Sequence, residues 1–316
     1  MKLDLLDRLL TEEEPLVPPF EELRGLWSVE SFREYQQAGD LQAYLSDNEH
    51  RASAFEREIW DVYADVYQVL EGEHPRKQFV SEVLQQDEFT LVVFDGLSLR
   101  EVPCLLQVME ERDIEAEVDF ALAPVPTETS VFAQEHFGAS GPSGIQSGAE
   151  LAFEHVKQTT WEPSFGREQR RRLIWAPHPD NIFTLNSDTV EYGGHVVEPV
   201  QAILAAILDS DPVLPLYITS DHGYLWQGGA CAWALDDDDE EALLAREFKA
   251  GRSADDPTAE LTSGEKVWSD AERQVAAARG RFAWGGRVTG PPRNFKHGGV
   301  SLVECLVPAL RLSGEP

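Results

Sequence analysis

The chain has 316 residues, with 57 aspartates and glutamates against 26 lysines and arginines and a formal net charge of −31 at pH 7. Its hydrophobic share of 42% excludes a disordered acidic chain and indicates a core sufficient for one large domain or two smaller ones. At low salt so acidic a chain would repel nucleic acid, unless a local cationic pocket received the polyanion.

The acidic residues are spread along the whole chain, from Glu12 to Glu315. This distribution favours a surface adapted to high salt over a local docking face for a basic partner, because dense charge is tolerated where salt screens it. It predicts a halophilic source.

Cysteine usage and the N-terminus bear on the compartment. Cys104, Cys231 and Cys305 are far apart and indicate neither a disulfide framework nor a thiolate zinc site. The N-terminus lacks the apolar region of a signal peptide, and no segment is long enough to span a bilayer. We therefore expect a soluble cytoplasmic protein without membrane contacts.

Residues 1–88 have a helical, amphipathic pattern. Within residues 52–70, large apolar side chains recur at helical spacing, which predicts a packing face. They are Phe55, Ile59, Tyr63, Tyr67 and Leu70. No catalytic chemistry is predicted in this region.

The first predicted strand is the continuous apolar run Phe89–Phe94, typical of a buried parallel strand. It ends at Asp95-Gly96, which is either a carboxylate at the carboxyl end of a strand or only a turn. A helix is predicted from Ser98 to Arg112, with Ser98 as its N-cap.

A second strand is predicted over residues 114–123, followed by the hydroxyl-bearing Thr127, Thr129 and Ser130 at the start of a helix. A hydroxyl there can cap the helix. It can also act as a nucleophile beside backbone N–H groups that hold a phosphoryl oxygen. The Gly-, Pro- and Ser-rich residues 138–148 are predicted to form a loop.

Another strand, Leu173–Ala176, leads to His178 and Asp180. The arginines before it, at positions 170–172, are interpreted as a solvated start of the strand. His195 follows in a loop just ahead of a helix predicted over residues 200–208, a position that favours a ligand over a core histidine.

The most informative stretch is Leu216–Tyr224, where a short strand ends at Asp221-His222-Gly223. Open α/β sheets place their chemistry at such strand ends. A carboxylate and an imidazole from neighbouring residues can bind one divalent cation, and Gly223 lets the backbone turn away.

The remainder of the chain is less regular. Residues 226–295 are rich in Gly, Trp and acids and are predicted to be an irregular insertion, in which Asp236–Glu241 forms a solvated loop because adjacent carboxylates repel. His297 lies in a Gly-rich loop, Ser301 and Glu304 fit a capping box, and a final apolar strand follows.

Four segments resemble, in order and flanks, the alkaline phosphatase superfamily and most closely its PglZ domain branch. They are Val93-Phe-Asp-Gly96, Pro126-Thr-Glu-Thr129, Thr219-Ser-Asp-His-Gly-Tyr224 and His297-Gly-Gly-Val-Ser-Leu302. The resemblance covers residues 89–312. It implies an α/β fold with a mainly parallel, alkaline-phosphatase-like sheet flanked by helices over residues 89–316, preceded by a helical N-terminal region over residues 1–88.

The resemblance also implies a site with two divalent metal ions, zinc or alternatively manganese, between which a threonine attacks a phosphate ester. The second Thr of Pro-Thr-x-Thr selects Thr129 as nucleophile. One metal would be held by Asp95, Thr129, Asp221 and His222, and His297 would join an Asp-His pair at the other.

That Asp-His pair departs from the family pattern. Asp180 is not followed by a histidine four residues later, where Thr184 stands. His195 would complete the pair from further along, with Glu191 four residues before it replacing the aspartate, and His178 is another candidate.

The leading hypothesis is a metal-dependent phosphodiesterase acting on a phosphate ester, with a nucleotide or nucleic acid as candidate substrate, in BREX-type phage defence or signalling. The incomplete Asp-x-x-x-His pattern motivates a second hypothesis, a catalytically weak or inactive interaction subunit whose helical N-terminal region docks on defence-system partners. A mutase or sulfatase of the same superfamily is a third. Metal content separates the first two.

Overall fold

The chain is described from a computed structural model. The structure describes residues 3–148, 150–157, 161, 163–166, 168–183, 190–228, 231–249, 251–261, 264–284 and 295–313. Thr184 and residues 285–294 of the predicted irregular insertion lie outside the described residues.

Helices account for most of the N-terminal region and then alternate with strands. The helices are α1 Leu3–Thr11, α2 Val17–Leu26, α3 Val29–Ala38, α4 Leu41–Val62, α5 Val66–Glu71, α6 Phe79–Leu84, α7 Val102–Glu110, α8 Thr129–Phe137, α9 Asp180–Phe183, α10 Glu198–Asp209, α11 Asp238–Phe248 and α12 Leu302–Cys305. The strands are β1 Phe89–Phe94, β2 Glu117–Leu122, β3 Ala152–His155, β4 Arg171–Ala176, β5 Leu216–Ser220, β6 Leu225–Trp226, β7 Ser253–Asp255, β8 Val267–Asp270, β9 Val275–Ala278, β10 Phe295–Lys296 and β11 Leu306–Leu312.

A six-stranded sheet with the order β2-β11-β5-β1-β4-β3 forms the centre of the fold. Strand β1 is parallel to β4 and β5, β3 is parallel to β4, and β11 is antiparallel to both β5 and β2. The mainly parallel α/β architecture predicted from the sequence is confirmed.

Strand β1 is buried throughout, because both faces of the sheet are covered. Val92 and Phe94 join the larger apolar core with side chains of α7 and α10, whereas Leu91 and Val93 join a second core with Phe132 of α8. Alternating side chains of one strand therefore enter two different cores. Packing into both cores holds β1 in place, including its carboxyl end at Phe94.

The N-terminal helices share the larger core with the sheet. Phe20, Tyr44 and Ile59 belong to the same apolar cluster as Ile218 and Leu310 of the central strands. The helix predicted through residues 52–70 ends at Val62 and resumes at Val66, yet its stripe is a packing face as expected. None of the helices in the described part of the chain combines the length and apolar character needed to cross a membrane.

Buried ion pairs join α4 to the rest of the fold. Glu49 binds Arg100 at 2.6 Å (Nη2 to Oε2) and also Arg281, while Glu56 binds Arg281 at 2.7 Å (Nε to Oε2). All four side chains are inaccessible or nearly so. A buried charge is tolerated only where it is paired and hydrogen-bonded, which this network achieves.

Several local predictions were wrong. Asp238–Glu241 form the first turn of α11 instead of a loop, because Asp237 Oδ1 accepts the N–H groups of Asp239 and Glu240 at 2.9 Å and the helix N-terminus favours negative charge. Helix α7 begins at Val102, and Ser98 does not cap it. Its hydroxyl instead donates to Glu101 at 2.8 Å.

The interpretation of the three arginines at positions 170–172 was wrong for one of them. Arg172 is buried, and its guanidinium donates to the backbone carbonyls of Gln169 at 2.9 Å and Asp211 at 3.3 Å. Arg170 is exposed and pairs with Glu88, as expected of a solvated strand start.

Two small sheets lie outside the central one. Strands β7, β9 and β8 form an antiparallel three-stranded sheet, and β10 pairs with β6. The described part of the predicted irregular insertion therefore has regular structure of its own.

Candidate metal centre

Three neighbouring parallel strands bring acidic residues to the same edge of the sheet. Phe94 at the end of β1 is in register with Ala176 of β4 and Ser220 of β5. Polar residues within a few positions of these strand ends include Asp95, Asp180 and Asp221-His222. The carboxyl ends of parallel strands thus meet in one place, as the sequence predicted.

Backbone contacts lock these strand ends together. The Asp180 N–H donates to the Asp95 carbonyl at 3.0 Å, and the Gly96 N–H donates to Asp221 Oδ1 at 3.0 Å. The Asp221 carboxylate also accepts the His222 N–H at 3.0 Å. One of its oxygens is therefore committed to holding the loops in place.

A first group of potential ligands contains Asp95, Asp221 and His222, with one ligand atom from each within 4.8 Å of the others. His222 Nε2 lies 3.6 Å from Asp95 Oδ1 and 3.6 Å from Asp221 Oδ2. His222 Nδ1 is 2.9 Å from the carbonyl of Gly223. Because a carbonyl can only accept, Nδ1 carries the proton and Nε2 presents its lone pair to the carboxylates.

A second group contains Asp180, His297 and again His222. His297 Nε2 is 3.6 Å from Asp180 Oδ1, and His297 Nδ1 is 3.1 Å from the Thr127 carbonyl. The two imidazole rings stack with centroids 4.0 Å apart and planes 12° apart. Because the Thr127 carbonyl can only accept, the neutral His297 ring carries its proton at Nδ1, as in His222. Its Nε2 is then free for a ligand.

Thr129 is the first residue of α8, and its hydroxyl faces the first group. Thr129 Oγ1 lies 3.3 Å from Asp95 Oδ1 and 3.3 Å from His222 Nε2. The hydroxyl of Thr127 points elsewhere, to the backbone of Gly298 and Gly299 at 2.9 Å each. Of the two threonines, only Thr129 has its oxygen among the acidic side chains.

Closely spaced, buried acids dominate the electrostatics of the site. Burial, followed by the charge of Asp221, raises the pKa of Asp95 to about 8, and burial raises the pKa of Asp221 to about 6. Burial and the nearby His297 lower the pKa of His222. Desolvation alone would lower the pKa of His297, but the carboxylates of Asp180 and Glu128 outweigh it and raise that pKa. Such a pocket is stabilised by added positive charge.

The residues present fit divalent cations. Asp221 Oδ2 is buried and accepts no hydrogen bond from any residue that the structure describes. Such an atom is costly to bury unless a cation binds it. Carboxylate oxygens and imidazole nitrogens are ligands that zinc and manganese accept, and both histidines hold their Nε2 atoms free through hydrogen bonds at Nδ1.

His195 is not brought into the pocket. It is exposed, in a π-helical turn over Gly193–Val197, and its Nδ1 accepts the Glu191 N–H at 2.9 Å. The Glu191 carboxylate in turn accepts the N–H groups of Gly193 and Gly194. Among the described residues, neither ligand group includes His195 or the buried His178.

Sequence reasoning missed the buried ion pair between Arg252 and Glu304 that holds the His297 loop. Glu304 Oε1 accepts the Gly299 N–H at 2.9 Å and binds Arg252 Nε at 3.0 Å. The capping box was a partial signal, since Ser301 Oγ accepts the Glu304 N–H at 3.2 Å, but the Glu304 carboxylate turns to the Ser301 hydroxyl and to Gly299. This loop is thus held by a buried ion pair.

Gly223 is required by a close approach. A Cβ atom at this position would lie 2.0 Å from the carbonyl oxygen of Val303. The Gly223 N–H also donates to the Glu304 carbonyl at 2.9 Å. The glycine therefore lets the strand-end loop that carries His222 pack directly against the backbone of α12.

No protein-family model and no curated protein matches this sequence. Among solved structures, the chain is similar to murine ectonucleotide pyrophosphatase/phosphodiesterase 5, in an inactive form in complex with AMP, at 12% identity and a TM-score of 0.46, covering 72% of this chain and 88% of that one. It is also similar to phosphonoacetate hydrolase from Sinorhizobium meliloti in complex with phosphonoacetate, at 11% identity and a TM-score of 0.42, covering 70% of this chain and 89% of that one.

Proposed function

We propose that this chain is a metal-dependent phosphodiesterase that uses Thr129 as its nucleophile and two divalent cations, zinc or manganese. One observation carries the proposal: the Thr129 hydroxyl lies 3.3 Å from both Asp95 and His222, in a pocket that the ends of three parallel strands supply with further carboxylates. A nucleophile within reach of a base and of metal-capable ligands is the arrangement that phosphoryl transfer requires.

The ligands divide between two positions. Asp95 and Asp221 would hold one cation, Asp180 and His297 would hold the other, and His222 lies between them. When bound, the cations lower the pKa of the attacking hydroxyl and neutralise charge on the phosphate.

Residues of the chain accept the proton of the Thr129 hydroxyl and orient the phosphate of the substrate. The Thr129 hydroxyl donates to Asp95 Oδ1, which can accept its proton, whereas the lone pair of His222 Nε2 would be taken by a cation. The threonine oxygen then bonds to phosphorus while the ester P–O bond breaks, and the leaving oxygen takes a proton from water. The hydroxide so formed attacks phosphorus, the bond to Thr129 Oγ1 breaks, and Oγ1 recovers its proton, which releases the phosphate monoester. Because Thr129 is the first residue of α8, the backbone N–H groups of the helix N-terminus would bind the phosphoryl oxygens of a substrate attacked by Thr129.

The motifs support the PglZ branch of the alkaline phosphatase superfamily, and we extend the proposal accordingly. A nucleotide or nucleic acid is the proposed phosphodiester substrate, and phage defence or signalling is the proposed setting. The formal charge of −31 supports function at high salt and a halophilic source.

The test is hydrolysis of a chromogenic phosphodiester by protein purified in high salt with zinc or manganese. Thr129→Ala should abolish turnover while retaining the fold. Ser130→Ala, which removes the neighbouring exposed hydroxyl, is the matched control and should behave as wild type. Equal hydrolysis by wild type and Thr129→Ala would refute the nucleophile assignment.

A second candidate is a non-catalytic interaction subunit. It is favoured by one observation: among the described residues, the second ligand group shares His222 with the first and has only Asp180 and His297 of its own. Metal analysis separates the two. Two equivalents per chain support the enzyme, whereas a folded, metal-free chain whose melting temperature is unchanged by chelator supports the subunit.

A further inference from the structure

Thr127 contacts the His297 loop through both its side chain and its backbone. Its carbonyl accepts the proton of His297 Nδ1 at 3.1 Å, its hydroxyl oxygen accepts the Gly298 N–H at 2.9 Å, and the same hydroxyl donates to the Gly299 carbonyl at 2.9 Å. Thr127 has no exposed surface. Three consecutive residues of the loop therefore bind one threonine.

The Thr127 hydroxyl acts as hydrogen-bond donor and acceptor at the same time, which neither a carbonyl nor an N–H group can do. The loop presents a backbone donor at Gly298 and a backbone acceptor at Gly299, and a hydroxyl can satisfy both at once. Gly298 has a φ of +98°, which a residue with a side chain rarely adopts. On the other side of the loop, Glu304 accepts the Gly299 N–H at 2.9 Å. The loop backbone is thus fixed from two directions.

The placement of Thr127 links the two halves of the site. It is two residues before Thr129, so one short segment carries the proposed nucleophile and also holds the loop of His297. We propose that Thr127 is a positioning residue that orients His297 Nε2 toward Asp180 and thereby sets the affinity of the second cation position. This inference rests on the proposed function, because it concerns one of its two cation positions.

The matched variants are Thr127→Val, which keeps the branched shape and removes the hydroxyl, and Thr127→Ser, which keeps the hydroxyl. Calorimetric titration with zinc or manganese should show the Kd of the weaker position rising about ten- to hundredfold in Thr127→Val, as expected when support around a metal ligand is lost. The tighter position should be unchanged, and Thr127→Ser should bind both cations as wild type does.

A double-mutant cycle with His297→Ala tests whether Thr127 acts through the imidazole. In the His297→Ala background, Thr127→Val should have no further effect on cation binding. If it weakens binding there by the same factor, or if Thr127→Val alone binds both cations like wild type, the inference is wrong. A wild-type chain that binds no cation would instead overturn the proposed function.

Nitrogen-15 NMR of the metal-free wild type provides a test without any variant. His297 should be protonated at Nδ1 with Nε2 bare whenever the ring is neutral, because the Thr127 carbonyl accepts at Nδ1. In Thr127→Val, or in Thr127→Ala if the valine variant does not fold, the signals of this tautomer should broaden or shift. A wild-type His297 protonated at Nε2 when neutral would overturn the proposal.

Discussion

Glu56 of the N-terminal helix α4 accepts the backbone N–H of Leu302 at 2.7 Å, just beyond the loop that carries His297. The same carboxylate binds Arg281 and accepts the Tyr67 hydroxyl at 3.0 Å. The helical region, in which the sequence predicted no chemistry, therefore supports one wall of the candidate site. The face of α4 that carries Glu56 is therefore not available for docking a partner.

The first prediction concerns this buried network. Arg281→Met should lower the free energy of unfolding by about 3–5 kcal/mol, because it leaves Glu49 and Glu56 buried with fewer partners. Denaturant titration measures the change. Arg246→Met is the matched control, since Arg246 is an exposed arginine paired with Glu247 and should have little effect. Similar losses in both variants would contradict the role of burial.

The strand-end residues of the site were predictable because their local patterns are strong. Largely apolar runs before Asp95 and Asp221 predicted strands buried on both faces, and Gly96 and Gly223 marked the turns that follow. Parallel pairing then brought the acids together without further information. The confirmed α/β architecture follows from the same runs.

Other features depend on tertiary contacts that no local pattern encodes. Among 57 acids, composition cannot show that Glu49 and Glu56 are buried, although their seven-residue spacing on a stripe with Ala52 and Ile59 was a signal. His195 had a plausible spacing from Glu191, but that spacing belongs to a helical turn in which the two residues bind each other. The adjacent acids Asp238–Glu241 were predicted to form a loop because their charges repel. In the structure they form the first turn of α11, where the helix N-terminus stabilises negative charge.

The second prediction concerns packing behind His222. Gly223→Ala should destabilise the chain by at least about 1–3 kcal/mol, because a Cβ atom 2.0 Å from the Val303 carbonyl oxygen forces the backbone apart. It should also weaken cation binding, since His222 lies on the displaced loop. Gly25→Ala in α2 is the control: nothing lies within 4 Å of its added Cβ, so it should stabilise the helix by about 0.5–1 kcal/mol. Thermal unfolding and cation titration of both variants provide the comparison.

The third prediction concerns pH. The pKa of Asp95 is raised from 3.8 to about 8, first by burial and then by Asp221, so between those values the folded metal-free chain holds a proton that the unfolded chain has released. The contribution of Asp95 to stability therefore becomes more unfavourable as pH rises from about 4 to about 8. A cation replaces the proton, so its stabilising effect should grow over the same range.

Melting temperatures with and without manganese, measured from pH 5 to pH 9, test this prediction. The difference between wild type and Asp95→Asn isolates the aspartate from the many other acids. In the metal-free state the wild type should lose stability relative to Asp95→Asn as pH rises. A difference that stays constant with pH would show that Asp95 is ionised throughout.

The fourth prediction concerns which histidine, His297 or His195, is a cation ligand. His297→Ala should lose one of the two proposed cations, because it removes a Nε2 atom that lies 3.6 Å from Asp180 Oδ1. His195→Ala should retain both, because that side chain is exposed and its Nδ1 is bonded to the Glu191 N–H. Metal content after dialysis measures the outcome, with circular dichroism to verify the fold. If His195→Ala loses a cation and His297→Ala keeps both, His195 and not His297 is a ligand at the second position. The pocket at the strand ends then binds fewer cations than its carboxylates suggest.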